Sequence, residues 1–404
     1  MALFKVRPGH RGKVLACGCA FHFFCDGIAD GLFVFLPLWQ IAFDLSLTQV
    51  GLFITCFEGA MALFQIPAGF LSEHFGERFL LITGTIVTAV SFMAVGLAAG
   101  FFSLLTLLLI SGFAAGVHHP LSSSMVSRAY QDNGRRAALG TFNFSGDVGK
   151  FTFPALAAMA LTVMNWRMLG LVFGFTGILV VSISGFTLKK LNAGNAPDKK
   201  QIRRENALVK GWGIEDRLGF SLLSAMGMLD TAVRTGLFTL LPFFLISRGL
   251  PVESTGFALS LAFIGGAAGK FGCGLIAERM GIIPTVLLTE GITAGGIFLL
   301  LGLPLKGIFV FLPILGAALN GTSSVFYGTV ADFVAPQRLG RVFGLFYTFV
   351  IAGGAMAPMI FGNISDRFDV RFTVMAIGAT ALLTLPLALS LRKSVKRSNS
   401  GSKS

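Results

Sequence analysis

GFLSEHFG, residues 69–76, returns in altered form as GLIAERMG at residues 274–281, an offset of 205 residues. In each copy a glycine opens the stretch, an acidic residue sits inside it (Glu73, Glu278) and a second glycine closes it. Outward from this pair, an offset of 204 to 205 residues also aligns GLFVFLP (31–37) with GLFTLLP (236–242), NWR (165–167) with DVR (369–371), Arg136 with Arg341, and Pro154 with Pro358. Five matches at one offset indicate a duplication, so the chain reads as two halves built alike.

What each half is made of follows from composition. Of the 404 residues 54% are hydrophobic and 13% charged, against about 25% charged in ordinary soluble domains, and the mean hydropathy is +0.78. Apolar runs of about 20 residues, each enough to cross a hydrocarbon core as a helix, fall near 14–42, 48–72, 79–100, 103–127, 137–164, 167–188, 217–246, 254–277, 282–303, 307–331, 341–362 and 370–391. The expected fold is therefore an all-α membrane protein with twelve transmembrane helices in two pseudo-symmetric six-helix bundles. The first bundle covers 1–188, a basic linker 189–216, the second bundle 217–391 and a polar tail 392–404. The N-terminal apolar run is longer than a signal-peptide core and lacks a small-residue cleavage site, so it reads as the first span.

The net charge of +13 is distributed by loop. Counted over alternate connections, 24 of the 32 Lys and Arg residues lie on one side, five on the other, and Lys150, Arg234 and Lys270 fall inside helices. By the positive-inside rule both termini and the linker are cytoplasmic, in a cell inner membrane. The excess charge sets topology, which removes the reason to invoke nucleic acid as a partner. The five cysteines, at 17, 19, 25, 56 and 273, all sit in apolar segments, which argues against a disulfide framework.

GFLSEHFGER resembles the loop between the second and third spans of the major facilitator superfamily, with Gly69, Glu73, Gly76 and Arg78 at the matching positions. Glu73 stands where aspartate is usual, and His74 and Glu77 depart from the pattern. GVHHPLSSSMVSRAYQDNGRRAALGTFNFSGDVGKFTFPAL (116–156) is similar to the fosmidomycin-resistance branch of drug exporters through His119, Pro120, Gly134, Arg135, Gly146, Gly149 and Pro154, with Leu121 where an acid is usual. The resemblance implies the major facilitator fold, two halves rocking about a central cavity, and a first helix that lines it. It also implies a gating role for the loop residues: Gly69, Glu73, Gly76, Arg78, Arg128 and Arg136 in the first half, and Glu278, Arg279 and Arg341 in the second.

Charge inside a span is costly and usually functional. His22, Asp26 and Asp30 recur every four residues and share one helix face. Glu58 lies near mid-membrane on the second span, and His118 and His119 precede Pro120, which permits a bend one turn earlier. Asp147 and Lys150 are i, i+3; Asp230 and Arg234 are i, i+4; each couple either neutralises itself or supplies charge to a cavity. Lys270 completes the substrate and proton pathway. Glu290 on the ninth span stands isolated and receives no role.

No Gly-x-x-x-x-Gly-Lys-Ser/Thr stretch occurs, which points away from direct ATP drive. The expected function is secondary active transport by alternating access: proton-coupled export of a small organic anion or zwitterion, with the proton as coupling ion and no cofactor, by a monomer. A proton-coupled uptake symporter is one alternative. Another is a divalent-metal carrier using His22, Asp26 and Asp30 on the first helix with His118 and His119 on the fourth, since imidazole and carboxylate suit transition metals. An intramembrane enzyme would want a clustered nucleophile or metal triad, and a sensor an appended signalling domain; neither is evident.

Overall fold

The computed structural model describes residues 10–130, 134–196, 213–334 and 339–401. These contain fourteen α-helices: α1 (Arg11–Phe43), α2 (Leu47–Phe75), α3 (Glu77–Val95), α4 (Phe101–Ala115), α5 (His118–Ala129), α6 (Arg135–Ala160), α7 (Trp166–Lys190), α8 (Arg217–Ser247), α9 (Thr255–Met280), α10 (Ile282–Leu300), α11 (Leu305–Thr329), α12 (Leu339–Arg367), α13 (Val370–Leu382) and α14 (Thr384–Gly401). The chain packs as two compact units, one from Met1–Leu38 with Cys56–Leu208, the other from Trp39–Thr55 with Val209–Ser404.

Eleven spans among the described residues are long and apolar enough to cross a membrane, counting α4 with α5 and α13 with α14 as one span each. The remaining span is α6. Its 26 residues are long enough, at about 1.5 Å per residue, but Asp147 and Lys150 lower its apolarity. Large side chains such as Leu63, Phe70, Phe102 and Phe271 are more than half exposed, as expected of helices whose outer faces meet lipid.

Two spans expected as single helices are broken. Residues 116 and 117 separate α4 from α5, and Leu383 separates α13 from α14. Each break falls one turn before a proline, Pro120 and Pro386, whose ring clashes with the carbonyl four residues back. The chain beyond residue 391 continues as helix to Gly401.

The repeat is legible in the backbone. Gly76 and Gly281, the closing glycines of the duplicated loop, both have positive φ, +80° and +85°, at the start of α3 and α10. A side chain is strained there, which is why both copies end in glycine. In NWR and DVR the first residue caps a helix: Asn165 accepts from the Met168 amide and Asp369 from the Phe372 amide. In the second unit the first turn of α2 has a reciprocal cap between Ser46 and Gln49, and Asp366 accepts from the Leu47 and Thr48 amides, both at 2.7 Å.

Candidate functional site

In the first unit α1 presents His22, Asp26 and Asp30 along one face, and α6 lies against that face at very short range. The reason is glycine. A Cβ on Gly149 would stand 2.2 Å from the Phe23 carbonyl oxygen, and one on Gly146 would stand 2.6 Å from Asp26 Oδ2 and from His22 Cε1. The Gly-x-x-Gly spacing therefore brings backbone against backbone and leaves room for the acid and the imidazole.

Close approach also delivers Lys150 of α6. Its Nζ lies 3.1 Å from Asp30 Oδ2 and 3.4 Å from Asp26 Oδ2, so one ammonium bridges two carboxylates on successive turns of α1. The short-range couple with Asp147 is not its whole role. His119, at the start of α5, places Nε2 at 3.5 Å from Asp26 Oδ1, and about a third of its side chain remains exposed. Asp26, 6% exposed, is thus surrounded by two imidazoles and an ammonium from three helices.

The tautomer of His22 follows from its neighbours. Nδ1 lies 2.8 Å from the Phe142 carbonyl oxygen, and because a carbonyl only accepts, Nδ1 carries the hydrogen. In a neutral ring, Nε2 then turns its lone pair toward Asp26 Oδ2 at 3.4 Å. Two acceptors face one another at that distance unless a proton or a cation lies between them. The ring is held in place by stacking on Phe142, centroids 4.2 Å apart, and meets His119 edge-on at 5.1 Å.

Other expected residues lie elsewhere. His118 is fully buried, with Nε2 at 2.8 Å from Thr85 Oγ1 and Nδ1 at 3.0 Å from the Ala115 carbonyl, so its polar atoms serve the packing of α3 and α4. Glu58 on α2 and Lys270 on α9 are partly buried. Asp147 is buried on α6. Asp230 and Arg234 belong to the second unit. There Asp230 meets Glu290 of α10, so Glu290 is not isolated as expected. Its partners, Asp230 on α8 and Thr384 on α14, are remote in sequence.

In the duplicated loop, Arg78 donates to the Leu188 and Ala193 carbonyls, both at 3.4 Å, and so ties the end of α7 to the start of α3. Glu77, which departs from the family pattern, is buried and forms an ion pair with Arg128 Nη2 at 3.6 Å. The altered residue keeps a charged link between α3 and α5. Gly69 has open space around it, while Glu73 is partly buried and Glu278 and Arg279 are exposed. The side chains of Arg136 and Arg341 lie outside the described residues, as does most of the basic linker.

The family model for the Major Facilitator Superfamily matches residues 15–358. The chain is 23% identical over 362 residues to the hexuronate transporter of Bacillus subtilis, covering 84% of each chain. It is 23% identical over 359 residues to the fosmidomycin resistance protein of Escherichia coli, covering 87% of this chain and 86% of that one. In three dimensions it is similar to a bacterial homolog of the human lysosomal transporter Spinster, solved inward-facing and occupied, with a TM-score of 0.77, 17% identity, and coverage of 96% and 98%. The peptide transporter POT with sulfate gives a TM-score of 0.77 at 14% identity, covering 96% and 95%.

Proposed function

This chain belongs to the Major Facilitator Superfamily, and from that premise we propose that it is a proton-coupled carrier of small organic anions, with sugar acids the favoured class. Secondary transport of a small molecule across a lipid bilayer, without enzymatic chemistry, is common to the family and to the relatives above. The observation that carries the finer reading is the single ammonium of Lys150 held between Asp26 and Asp30. An anion that binds this ammonium competes for it with the two carboxylates, and a carboxylate that loses its counter-ion in a poorly hydrated site takes up a proton.

The sign of the coupling follows. If a proton on Asp26 or Asp30 frees Lys150 for the anion, proton and anion bind together, and by linkage each raises the affinity for the other. Joint binding is the arrangement of a symporter. For an anionic substrate this favours proton-driven uptake over the export anticipated from the resemblance to drug exporters. Similarity to proteins named as hexuronate, L-galactonate and galactarate/D-glucarate transporters supports an acid sugar as cargo. His22 and His119 supply further polar atoms around Asp26. The loop distribution of Lys and Arg supports an inner-membrane location with both termini cytoplasmic.

The test is D-glucuronate flux in proteoliposomes of purified protein. Accumulation is expected when the outside is made acidic and is expected to vanish when an ionophore collapses the gradient. Uptake indifferent to the gradient would sink proton coupling, and accumulation driven by a gradient of opposite sign would establish export by antiport.

A second reading, a divalent transition-metal carrier, is favoured by one observation: ligand atoms of His22, Asp26 and His119 all lie within 4.8 Å of one another. Of the other expected ligands, Asp30 and His118 fall outside this group. Against it stands Lys150 Nζ, 3.4 Å from Asp26 Oδ2. Two unit positive charges 4 Å apart repel by about 4 kcal/mol at an effective dielectric of about 20, and a divalent ion about doubles that. Titration calorimetry with Zn²⁺ and Mn²⁺ is expected to give no binding heat at this site. A heat abolished by Asp26→Asn would reinstate the metal reading.

A further inference from the structure

We propose that His119 of α5 is a specificity residue of the carrier: its Nδ1 accepts a hydrogen bond from a hydroxyl close to the carboxylate that Lys150 holds, so the site prefers hydroxy acids to plain carboxylates. This deepens the organic-anion reading above and rests on it. Two consecutive histidines open α5, and they differ in what their rings have left to offer. His118 is fully buried and spends both nitrogens, on Thr85 Oγ1 and the Ala115 carbonyl. His119 spends one. Its Nε2 lies 3.5 Å from Asp26 Oδ1, and because a carboxylate only accepts, the neutral ring carries its hydrogen on Nε2. Nδ1 is then an acceptor, without a partner among the described residues and not sealed from solvent.

The ring is in place before any solute arrives. Asp26 fixes one edge of it, and His22, itself stacked on Phe142, meets it edge-on with centroids 5.1 Å apart. Exposure rises in order across the cluster: 7% of the His22 side chain, 8% of Asp26, 15% of Asp30, 20% of Lys150 and 34% of His119. A solute therefore meets the imidazole and the ammonium first. Both stand on one carboxylate, His119 against Oδ1 of Asp26 and Lys150 against Oδ2 at 3.4 Å. An anion on the ammonium thus has a hydrogen-bond acceptor beside its own carboxylate end. A hydroxyl placed there donates to Nδ1. A methylene leaves Nδ1 bare, and a site built to bond a hydroxyl discriminates against the analogue lacking it.

The duplication gives a separate reason to assign His119 and Lys150 to the solute rather than to the fold. At the repeat offset of 204 to 205 residues, His119 falls opposite Ser323 or Ser324, and Lys150 opposite Gly354 or Ala355. The second half builds its corresponding spans with neither an imidazole nor an ammonium at those places. What the architecture requires is the same in both halves; the two polar groups are extra to it.

Titration calorimetry of the purified full-length protein tests the proposal with two acids: D-glucuronate, and cyclohexanecarboxylate, which keeps a six-membered ring and the carboxylate but carries no hydroxyl. The wild type is expected to bind D-glucuronate more tightly by about tenfold or more, the worth of one well-made hydrogen bond. His119→Phe keeps the aromatic bulk without an acceptor and is expected to narrow the ratio of the two affinities about tenfold. His119→Asn, whose amide can turn its NH₂ to Asp26 and its oxygen to the solute, is expected to recover part of that ratio. A purely structural role would lower both affinities together and leave their ratio alone, so an unchanged ratio in His119→Phe would overturn the proposal. Equal affinities in the wild type, a comparison that needs no variant, would overturn it while the organic-anion reading stands. Binding of neither acid would bring down that reading and this one with it.

Discussion

Lys150→Met is expected to abolish D-glucuronate transport and to lower the thermal stability of the purified protein. The variant keeps the length and volume of the side chain but leaves Asp26 and Asp30, one helical turn apart, without the ammonium that lies 3.4 Å and 3.1 Å from them. Removing one partner of a buried ion pair costs about 3–5 kcal/mol. The loss here lies toward the lower end, because a fifth of the lysine side chain is exposed. Adding Asp30→Asn to Lys150→Met removes the uncompensated charge and is expected to restore much of the stability without restoring transport. Thermal unfolding, together with flux in proteoliposomes, checks both halves. Wild-type flux in Lys150→Met would remove the lysine from the substrate pathway altogether.

Gly149→Ala is the second large effect. Its added methyl would stand 2.2 Å from the Phe23 carbonyl oxygen and 3.0 Å from the Gly27 nitrogen, so the obstacle is the backbone of α1 rather than a side chain able to turn aside. Overpacking a well-packed site costs about 1–3 kcal/mol, and with no rotamer to absorb it the helices themselves must part. Separation of α1 from α6 withdraws Lys150 from Asp26 and Asp30, so transport falls along with stability. Gly140→Ala on the same helix is the control, since nothing lies within 4 Å of its added methyl. It should behave as wild type or slightly better, given the helix propensity gained. Equal behaviour of the two variants in flux and thermal unfolding would show that the close contact is not needed.

Much of the architecture was legible from local rules. Hydropathy runs gave the spans, and the repeated prolines and loop glycines gave the two-fold duplication. The conformations of Gly76 and Gly281 supply the backbone reason for its most visible element. The stripe of His22, Asp26 and Asp30 was readable because helical period alone puts those positions on one face. Glycines 146 and 149 stood out through the family resemblance, which does not say which helix they approach. The breaks at residues 116–117 and at Leu383 were only half legible: Pro120 marked the first, while the second passed as a continuous apolar run.

The partners were another matter. Asp147, three residues away, is the partner that spacing offers Lys150, and nothing in that spacing reveals that the ammonium reaches α1. Glu77 looked like a broken motif until Arg128 was found beside it. Glu290 looked isolated because both its companions, Asp230 and Thr384, are distant along the chain.

By itself the sequence determined that this chain is a duplicated, membrane-spanning bundle of helices with acids, imidazoles and three cations inside the lipid. Those properties are sums over near neighbours: apolar length, helical period, and the demands of glycine and proline on the backbone. Only the tertiary structure decided which carboxylate faces which cation, that His22 and His119 share Asp26, and that Asp230 and Glu290 meet. Pairing between distant helices depends on how closely their backbones pack, and that distance is set by the whole bundle rather than by any stretch of it.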